Sequence, residues 1–357
     1  MRRASKNSLP SEKIDIRSVA AHARVSIATV SRTINRLPTV DPQLARRVWK
    51  AVEELKYTPN PQARALVSGR SRLLGLIISD ITNPFFPELI DEFEKAAVAR
   101  GYEILIGSTS DDRKTMDICA RRMIERRVDG IAVMTFAIEE QLIERFAGDN
   151  IPLVSIDVRP KNDYSSVLSV DYRSGIAEGV QHLAVLGHRK IGFISGPLRL
   201  RSAQARMTAF LECLCNTGIK PESKWLIEGD HTLAGGQDAM QKLLKLAEWP
   251  TAIMCSNDMT AIGVQHALFE ANLRVPKDFS LIGFDDIHLA EYTIPPLTTV
   301  RMSPRDLARN AVARLVSRLE SDRETFLVEG SSIPTRLIVR RTTDLPKGAL
   351  LDLRPKP

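Results

Sequence analysis

No stretch of this 357-residue chain stays apolar for the roughly 20 residues that a membrane-spanning helix needs, so a bilayer span is excluded on length alone. The opening residues MRRASKNSLPSEK carry positive charge without an apolar core, which excludes a secretory signal and predicts a cytoplasmic location. Cysteine is scarce. Cys119, Cys213, Cys215 and Cys255 lack the paired spacing of a zinc site or a disulfide framework, so no structural metal and no cross-linked scaffold are expected. Common catalytic signatures are also missing: no G-x-x-x-x-G-K-[ST] phosphate loop, no G-x-G-x-x-G after a strand, no G-x-S-x-G elbow, no H-E-x-x-H. Asp285-Asp286, His188 and His231 could do acid–base work in principle, but nothing around them completes a constellation; no enzyme and no cofactor are expected.

What is present is enough hydrophobic residue, 43%, to fold, in a length that exceeds one core and predicts two or three domains. Charge is distributed unevenly. Residues 1–72 hold 15 Lys and Arg against 5 Asp and Glu, while the remaining 285 hold 35 against 38, so the net +7 conceals a head near +10 on a body near −3. Phosphate contacts supply most non-specific DNA affinity through counterion release, so a cationic head on a near-neutral body predicts double-stranded DNA as a partner.

Within that head, Val19, Ala20 and Ala23 recur at helical spacing, Arg24-Val25 interrupts the run, and Ser26 stands where an N-cap would start a second helix. Val30 and Ile34 can pack back onto Val19 and Ala23. The opposite face carries Ile27, Ala28, Ser31, Arg32 and Asn35, the arrangement of a helix-turn-helix whose outer side is free to enter a major groove. Asp41-Pro42 reads as a cap and first helical position, followed by Leu44, Val48, Val52 and Leu55 at helical spacing, with Arg46, Arg47 and Lys50 facing outward.

The run VAAHARVSIATVSRTIN resembles the amino terminus of the lactose-repressor (LacI/GalR) family, whose usual form is V-A-x-x-A-G-V-S-x-x-T-V-S-R-x-x-N. Arg24 stands where that family has a turn glycine, a position that often requires a positive φ, which a residue with a Cβ adopts at some cost. The resemblance implies that Ile27, Ala28 and Arg32 read base edges while Ser26, Thr29, Ser31 and Asn35 hold phosphates. It also assigns the Asn-Pro-capped segment 60–72 as a hinge helix that folds on DNA, with Asn60 and Ala63 at the minor groove and Leu66 as the wedge that opens a base step. Alone, so short a helix is below the length stable in water.

From Leu73 the pattern changes to apolar runs alternating with amphipathic ones. Strands are predicted at 73–78, 103–107, 130–134, 152–156, 167–170, 191–195, 252–255 and 280–284, with helices near 86–100, 114–127, 139–146, 172–186, 203–217, 234–247 and 259–271. This is α/β winding on parallel sheets, and its doubling resembles the two-lobed periplasmic-binding-protein-like effector domain of the same family. The expected division is a disordered 1–13, a three-helix helix-turn-helix domain at 14–59, the hinge at 60–72, an effector-binding and dimerisation domain at 73–345, and a tail at 346–357. Lobe 1 takes about 73–172 and 303–330, and lobe 2 about 173–302 and 331–345.

Ligands of open α/β sheets bind beyond the carboxyl ends of strands, and there this chain places Asp80, Asn83, Asp157, Asn257, Asp258, Asp285 and Asp286. Carboxylates and amides suit adjacent hydroxyls and aromatic rings cover a sugar's C–H face, which points to a sugar or sugar-derivative effector. By resemblance, Arg206, Asn257 and Asp285 fall on ligand-contacting motifs; with Asp157 and with Phe85 as an aromatic wall they form the expected site. Asp258 and Asp286 fit better as caps, and Asp80 fits either role. His231 replaces the family's usual Phe or Trp, and with Arg199 and Arg201 nearby it raises a sugar acid or phosphosugar as effector. The whole reads as a ligand-controlled transcriptional repressor of carbohydrate-metabolism genes, a homodimer on a pseudo-palindromic operator. A sugar-modifying enzyme with a DNA-binding head, or a regulator controlled by a protein co-repressor, is the alternative.

Overall fold

A computed structural model of the chain describes residues 14–35, 39–59, 69–110, 112–135, 146, 148–157, 165–320 and 332–347. The expected disordered start, residues 60–68 with Asn60, Ala63 and Leu66, most of the helix expected at 139–146, and residues 348–357 of the tail lie outside the described residues. The chain divides into two compact units, Met1–Arg72 and Leu73–Pro357.

In the first unit, α1 (Ile16–Ala23), α2 (Ile27–Ile34) and α3 (Pro42–Glu54) close a core of Val19, Ala20, Ala23, Val30, Val48 and Ala51, with Ile34, Val52 and Leu55 at its margin. Each helix starts on a side-chain cap. Asp15 accepts from the Arg17 and Ser18 amides, Ser26 from Thr29, and Asp41 from Gln43 and Leu44, with Pro42 as first helical residue. Arg24 takes the left-handed conformation, φ 53 and ψ 51, and its N–H bonds the carbonyls of Ala20 and Ala21. The corner therefore closes as a glycine would close it, at a backbone cost of roughly 1–2 kcal/mol. Arg47, expected to face outward, instead turns back: its guanidinium donates to the carbonyls of Ala23 at 2.6 Å and Arg24 at 3.0 Å. The reason is that a helix end leaves carbonyls without partners, and a cation satisfies them well.

The second unit holds two sheets. The first is parallel, built from β1 (Leu73–Ile78), β2 (Glu103–Ser108), β3 (Gly130–Met134), β4 (Leu153–Ile156) and β5 (Ser165–Leu168) in the order β2-β1-β3-β4-β5. Along β1, Leu74, Leu76 and Ile78 join Phe86, Leu89 and Phe93 of α4 (Phe85–Val98), while Ile77 faces Met116 and Met123 of α5 (Arg113–Glu125). Alternate side chains point to opposite faces, and helices cover both, so the strand is apolar throughout.

The second sheet contains β6 (Val170–Asp171), β7 (Ile191–Ser195), β8 (Leu226–Glu228), β9 (Ala252–Cys255), β10 (Ser280–Asp285), β11 (Thr298–Met302) and β12 (Ile333–Ile338). Their order is β6-β12-β11-β10-β9-β7-β8, with only the β11–β12 pair antiparallel. Four helices accompany it: α6 (Tyr172–Val185), α7 (Arg201–Asn216), α8 (Leu233–Leu244) and α9 (Asp258–Glu270). After β11 the chain returns to the first lobe as α10 (Pro304–Glu320), which packs on α4 and β3. The strand expected at 167–170 is two strands in different sheets. Ser169 divides them, its carbonyl accepting from Ile333 N at 2.8 Å, so the lobes change over there. Strands β8, β11 and β12 were not expected; Pro334 and the charged Arg301 and Arg336 interrupt the apolar signal in the last two.

Candidate functional site

The outer face of α2 is open. Ser26, Ile27, Ala28 and Arg32 are exposed, Ile27 to 46%, whereas Val30 and Thr33 are buried on the inner face. Ser26 and Thr29 are engaged with each other: the Ser26 hydroxyl caps the Thr29 N–H at 3.1 Å and meets the Thr29 hydroxyl at 2.9 Å. Ser31 and Asn35 are partly buried, with the Asn35 amide 3.5 Å from the Ser31 hydroxyl. An exposed apolar residue beside a methyl and a guanidinium suits groove contacts, since Arg matches guanine O6 and N7 while Ile and Ala meet thymine methyls.

In the second unit, the strand-end residues expected from sequence share a backbone property that sequence did not show. Asp157, His231, Asp285 and Asp286 have φ of 54, 67, 113 and 60, in the region that favours glycine. Such strain costs on the order of 1–3 kcal/mol per residue and persists where tertiary contacts fix it, most often at functional sites.

Arg206 organises these residues. It is 3% exposed, donates from Nη1 to the Ser256 carbonyl, and places Nη2 3.4 Å from Asp285 Oδ1. Its guanidinium carbon lies 4.0 Å from the Phe284 ring centroid and 5.1 Å from that of Tyr172. Burial pushes the Asp285 carboxyl up to about 7; Arg206 opposes that rise and Glu88 adds to it. Tyr172 donates its hydroxyl to Asp157 Oδ2 at 2.7 Å, and Val170 N donates to Asp157 Oδ1 at 3.1 Å. Burial also raises Asp157 above the ordinary carboxylate range, against the lowering effect of these two bonds.

His231 is partly buried, with Nε2 2.5 Å from the Ser256 hydroxyl. Burial, and next the Arg206 cation, push its imidazole down to about 3, so the ring is neutral at ordinary pH. It lies against Gly196, where any Cβ would collide with the ring. Asn257 serves the framework: its oxygen caps α9 by accepting from Thr260 N at 2.9 Å and its amide donates to the His231 carbonyl at 3.0 Å, leaving one N–H for other use. Asp258 accepts from Ile287 N and the Thr299 hydroxyl and so supports the backbone, whereas Asp286, expected as a cap, instead pairs with the side chains of Arg301 and Arg340 because two cations from β11 and the segment after β12 converge on it. Asp80 closes a local turn on Thr82.

Phe85 lies at the first turn of α4, buried edge-on against Phe86 with centroids 5.5 Å apart, outside the bonded cluster around Arg206. Sequence reasoning passed over Ser202. It stands one helical turn before Arg206 on the same face of α7, is 1% exposed, and its hydroxyl has no hydrogen-bond partner among the described residues. The i, i+4 spacing with Arg206 was the available signal. Arg201 lines a separate cavity of about 570 Å³ with Arg173, Gln204 and Glu212. Among the described residues no helix is long and apolar enough to cross a membrane, and no three His, Cys, Asp or Glu side chains converge as a metal site would require.

Comparison with known proteins bears on both units. Residues 15–60 match the bacterial regulatory proteins of the lacI family, and residues 180–343 match a periplasmic binding protein-like domain. The HTH-type transcriptional repressor PurR of Actinobacillus pleuropneumoniae serotype 3 (strain JL03) is 33% identical over 92% of this chain and 97% of its own length. A crystal structure of the lac repressor dimer bound to operator and the anti-inducer ONPF superimposes with a TM-score of 0.81, at 28% identity over 93% of this chain and all of the other. A lacI-family regulator from Enterococcus faecium with bound ribose covers 77% of this chain and all of its own, with a TM-score of 0.67 and 26% identity.

Proposed function

Because this chain belongs to the lacI family of bacterial regulatory proteins, and is a ligand-responsive DNA-binding transcriptional repressor rather than an enzyme, we propose that it acts as a homodimer on a pseudo-palindromic operator, its grip set by a small effector between the lobes. The observation that carries the DNA half is the open outer face of α2 on a head of charge near +10. Ile27, Ala28 and Arg32 read bases; Ser26, Thr29, Ser31 and Asn35 orient the helix and contact phosphates; Asn60, Ala63 and Leu66 enter the minor groove. Arg32→Ala should cost roughly 1–3 kcal/mol at one base pair, measured by titrating single-substitution operators. Equal weakening on every sequence would reassign Arg32 to the backbone.

Support for a homodimer comes from an apolar face on the second unit. Ile294, Phe269 and Tyr292 are 93%, 77% and 67% exposed, and Phe269 and Ile294 line one cavity with Ile262, Leu273 and Pro295. Patches of that kind mark protein–protein interfaces, and two-fold pairing matches a palindromic site.

For the effector, the cluster of Asp157, Arg206, His231, Asn257 and Asp285, with Ser202 added and Phe85 at the lobe 1 edge, favours a neutral molecule rich in hydroxyl groups, a sugar or sugar derivative of carbohydrate metabolism. Arg206 already faces Asp285, and Asp157 adds negative charge, which disfavours a sugar acid or phosphosugar. The guanidinium covers Phe284 and Tyr172, which leaves a flat heterocyclic base without those rings to stack on. Calorimetry on the full chain with neutral sugars, sugar acids, phosphosugars and nucleobases tests this. Preferential binding of any charged or heterocyclic class overturns the neutral assignment and leaves the DNA half standing.

A further inference from the structure

Glu88, on α4 of lobe 1, reaches across to lobe 2 and accepts a hydrogen bond from His288 N at 2.8 Å. The two residues are 200 positions apart and do not belong to the three chain passages that join the lobes covalently, at Ser169, after Met302 and between α10 and β12. Among the described residues no cation lies within ion-pair distance of Glu88. Its carboxylate also acts on Asp285, three residues before His288 and 5% exposed at the end of β10.

We propose that Glu88 is a latch between the lobes whose closed position is tied to protonation of Asp285, so that closing the cleft binds a proton and opening it releases one.

The charged groups around Asp285 come from several elements. Arg206 of α7 is 3.4 Å away and favours the ionised form. Asp258 of α9 is buried nearby, as is the Tyr172 phenol of α6, itself bonded to Asp157. Asp286, adjacent in sequence, is neutralised by Arg301 and Arg340. His231 is kept neutral by burial and by the Arg206 cation, so it adds no charge to the cluster. All of these belong to lobe 2 or to the crossing segment, apart from Asp157 at the end of β4, so Glu88 is the carboxylate that α4 carries to the cluster. Opening the lobes would remove it and admit water to Asp285. Both changes favour the carboxylate.

The sign follows from linkage. A carboxyl whose pKa is higher in the closed state favours closure below that pKa, and the advantage is lost as pH rises through it, here about 7. Closure at pH 8 therefore brings the Glu88 charge to bear on an ionised Asp285 whose guanidinium partner is Arg206. The inference rests on the lobes moving, as ligand control requires, but its test needs neither operator nor effector, so its failure is separable from that of the proposed function.

The test is energy transfer in the full chain between dyes on Arg100→Cys in lobe 1 and Lys242→Cys in lobe 2, both exposed sites, with exposed Cys215 changed to Ser. In this labelled chain, carrying native Glu88 and Asp285, the closed fraction should fall as pH rises from about 5.5 to 8.5, by severalfold around neutrality. Glu88→Gln keeps an acceptor for His288 N–H and removes the charge; it should stay more closed at alkaline pH with a smaller response. Glu88→Ala should be more open throughout. Transfer that does not change with pH in that chain, or a Glu88→Gln titration of the same midpoint and amplitude, overturns the proposal.

Discussion

The DNA-binding head and the effector cleft solve opposite problems. In the head, Ile27, Ala28 and Arg32 sit on the exposed face of one helix, and each helix begins on a cap a few residues away, as Asp15 with Ser18 and Ser26 with Thr29, although the shared core and the Arg47 bond to Ala23 join separate helices. In the proposed cleft, Arg206, Asn257 and Asp285 are buried while Asp157 and His231 are partly so, and Asp157, His231 and Asp285 sit on left-handed backbone. Their partners are far along the chain: Arg206 with Asp285, His231 with Ser256, Tyr172 with Asp157. A surface that reads DNA can be built locally because water serves its unpaired groups. A cleft that excludes water must supply every partner from the fold, and distant segments carry them.

That contrast can be broken from either side. Arg206→Met should cause the largest loss, about 3–5 kcal/mol above pH 7, because it leaves Asp285 buried as an uncompensated charge. Urea unfolding followed through Trp225 and Trp249 would show it, while the helices around Trp49 stay unaffected. A loss below about 1 kcal/mol would mean that the pair is not what holds the cleft.

Ile294→Asp should weaken self-association by about 2 kcal/mol or more, since it puts a charge at the centre of the apolar face. Light scattering would report the halved mass, and operator affinity would fall with it although no DNA-facing residue is touched.

The third prediction concerns pH, where two cleft groups oppose each other. With Asp285 raised to about 7, the folded state holds a proton that the unfolded chain loses, so this group makes stability fall between about pH 4 and 7. His231, lowered to about 3, refuses a proton that the unfolded chain takes, so it makes stability rise from about pH 3 to 6.5. In the wild type the two slopes nearly cancel over their shared range. His231→Gln should expose the falling slope and Asp285→Asn the rising one; flat profiles in both variants would refute the opposition.

Smallest is Arg24→Gly in the head. The backbone is already in the conformation glycine favours, so the variant should gain about 1 kcal/mol in thermal stability of the head. If it loses stability instead, the Arg24 side chain contributes more than its strained backbone costs.

Much of the head was legible because its determinants are local. Ser26 and Asp41 were readable as caps, and Val19, Ala23 and Val30 as the inner face, since capping and the 3.6-residue period act over single turns. Arg47 was misjudged because its target carbonyls belong to another helix. In the second unit the apolar strands were readable, and the parallel two-sheet architecture with them, because strands covered on both faces must be apolar throughout. β12 was not. It is held by pairing with β11 and β6, and its own residues, Pro334 and Arg336 among them, carry little strand signal.

By itself the sequence determined the fold class, the cationic head and the identity of the strand-end residues, because apolar periodicity, charge and capping operate on neighbours in the chain. Tertiary structure alone decided which of those residues face one another: that the Asn257 amide meets the His231 carbonyl, that Arg206 lies against Asp285 and two aromatic rings, and that Glu88 of one lobe meets His288 of the other. Burial and long-range pairing set the charge states of such groups, and neither is written in the spacing of residues along the chain.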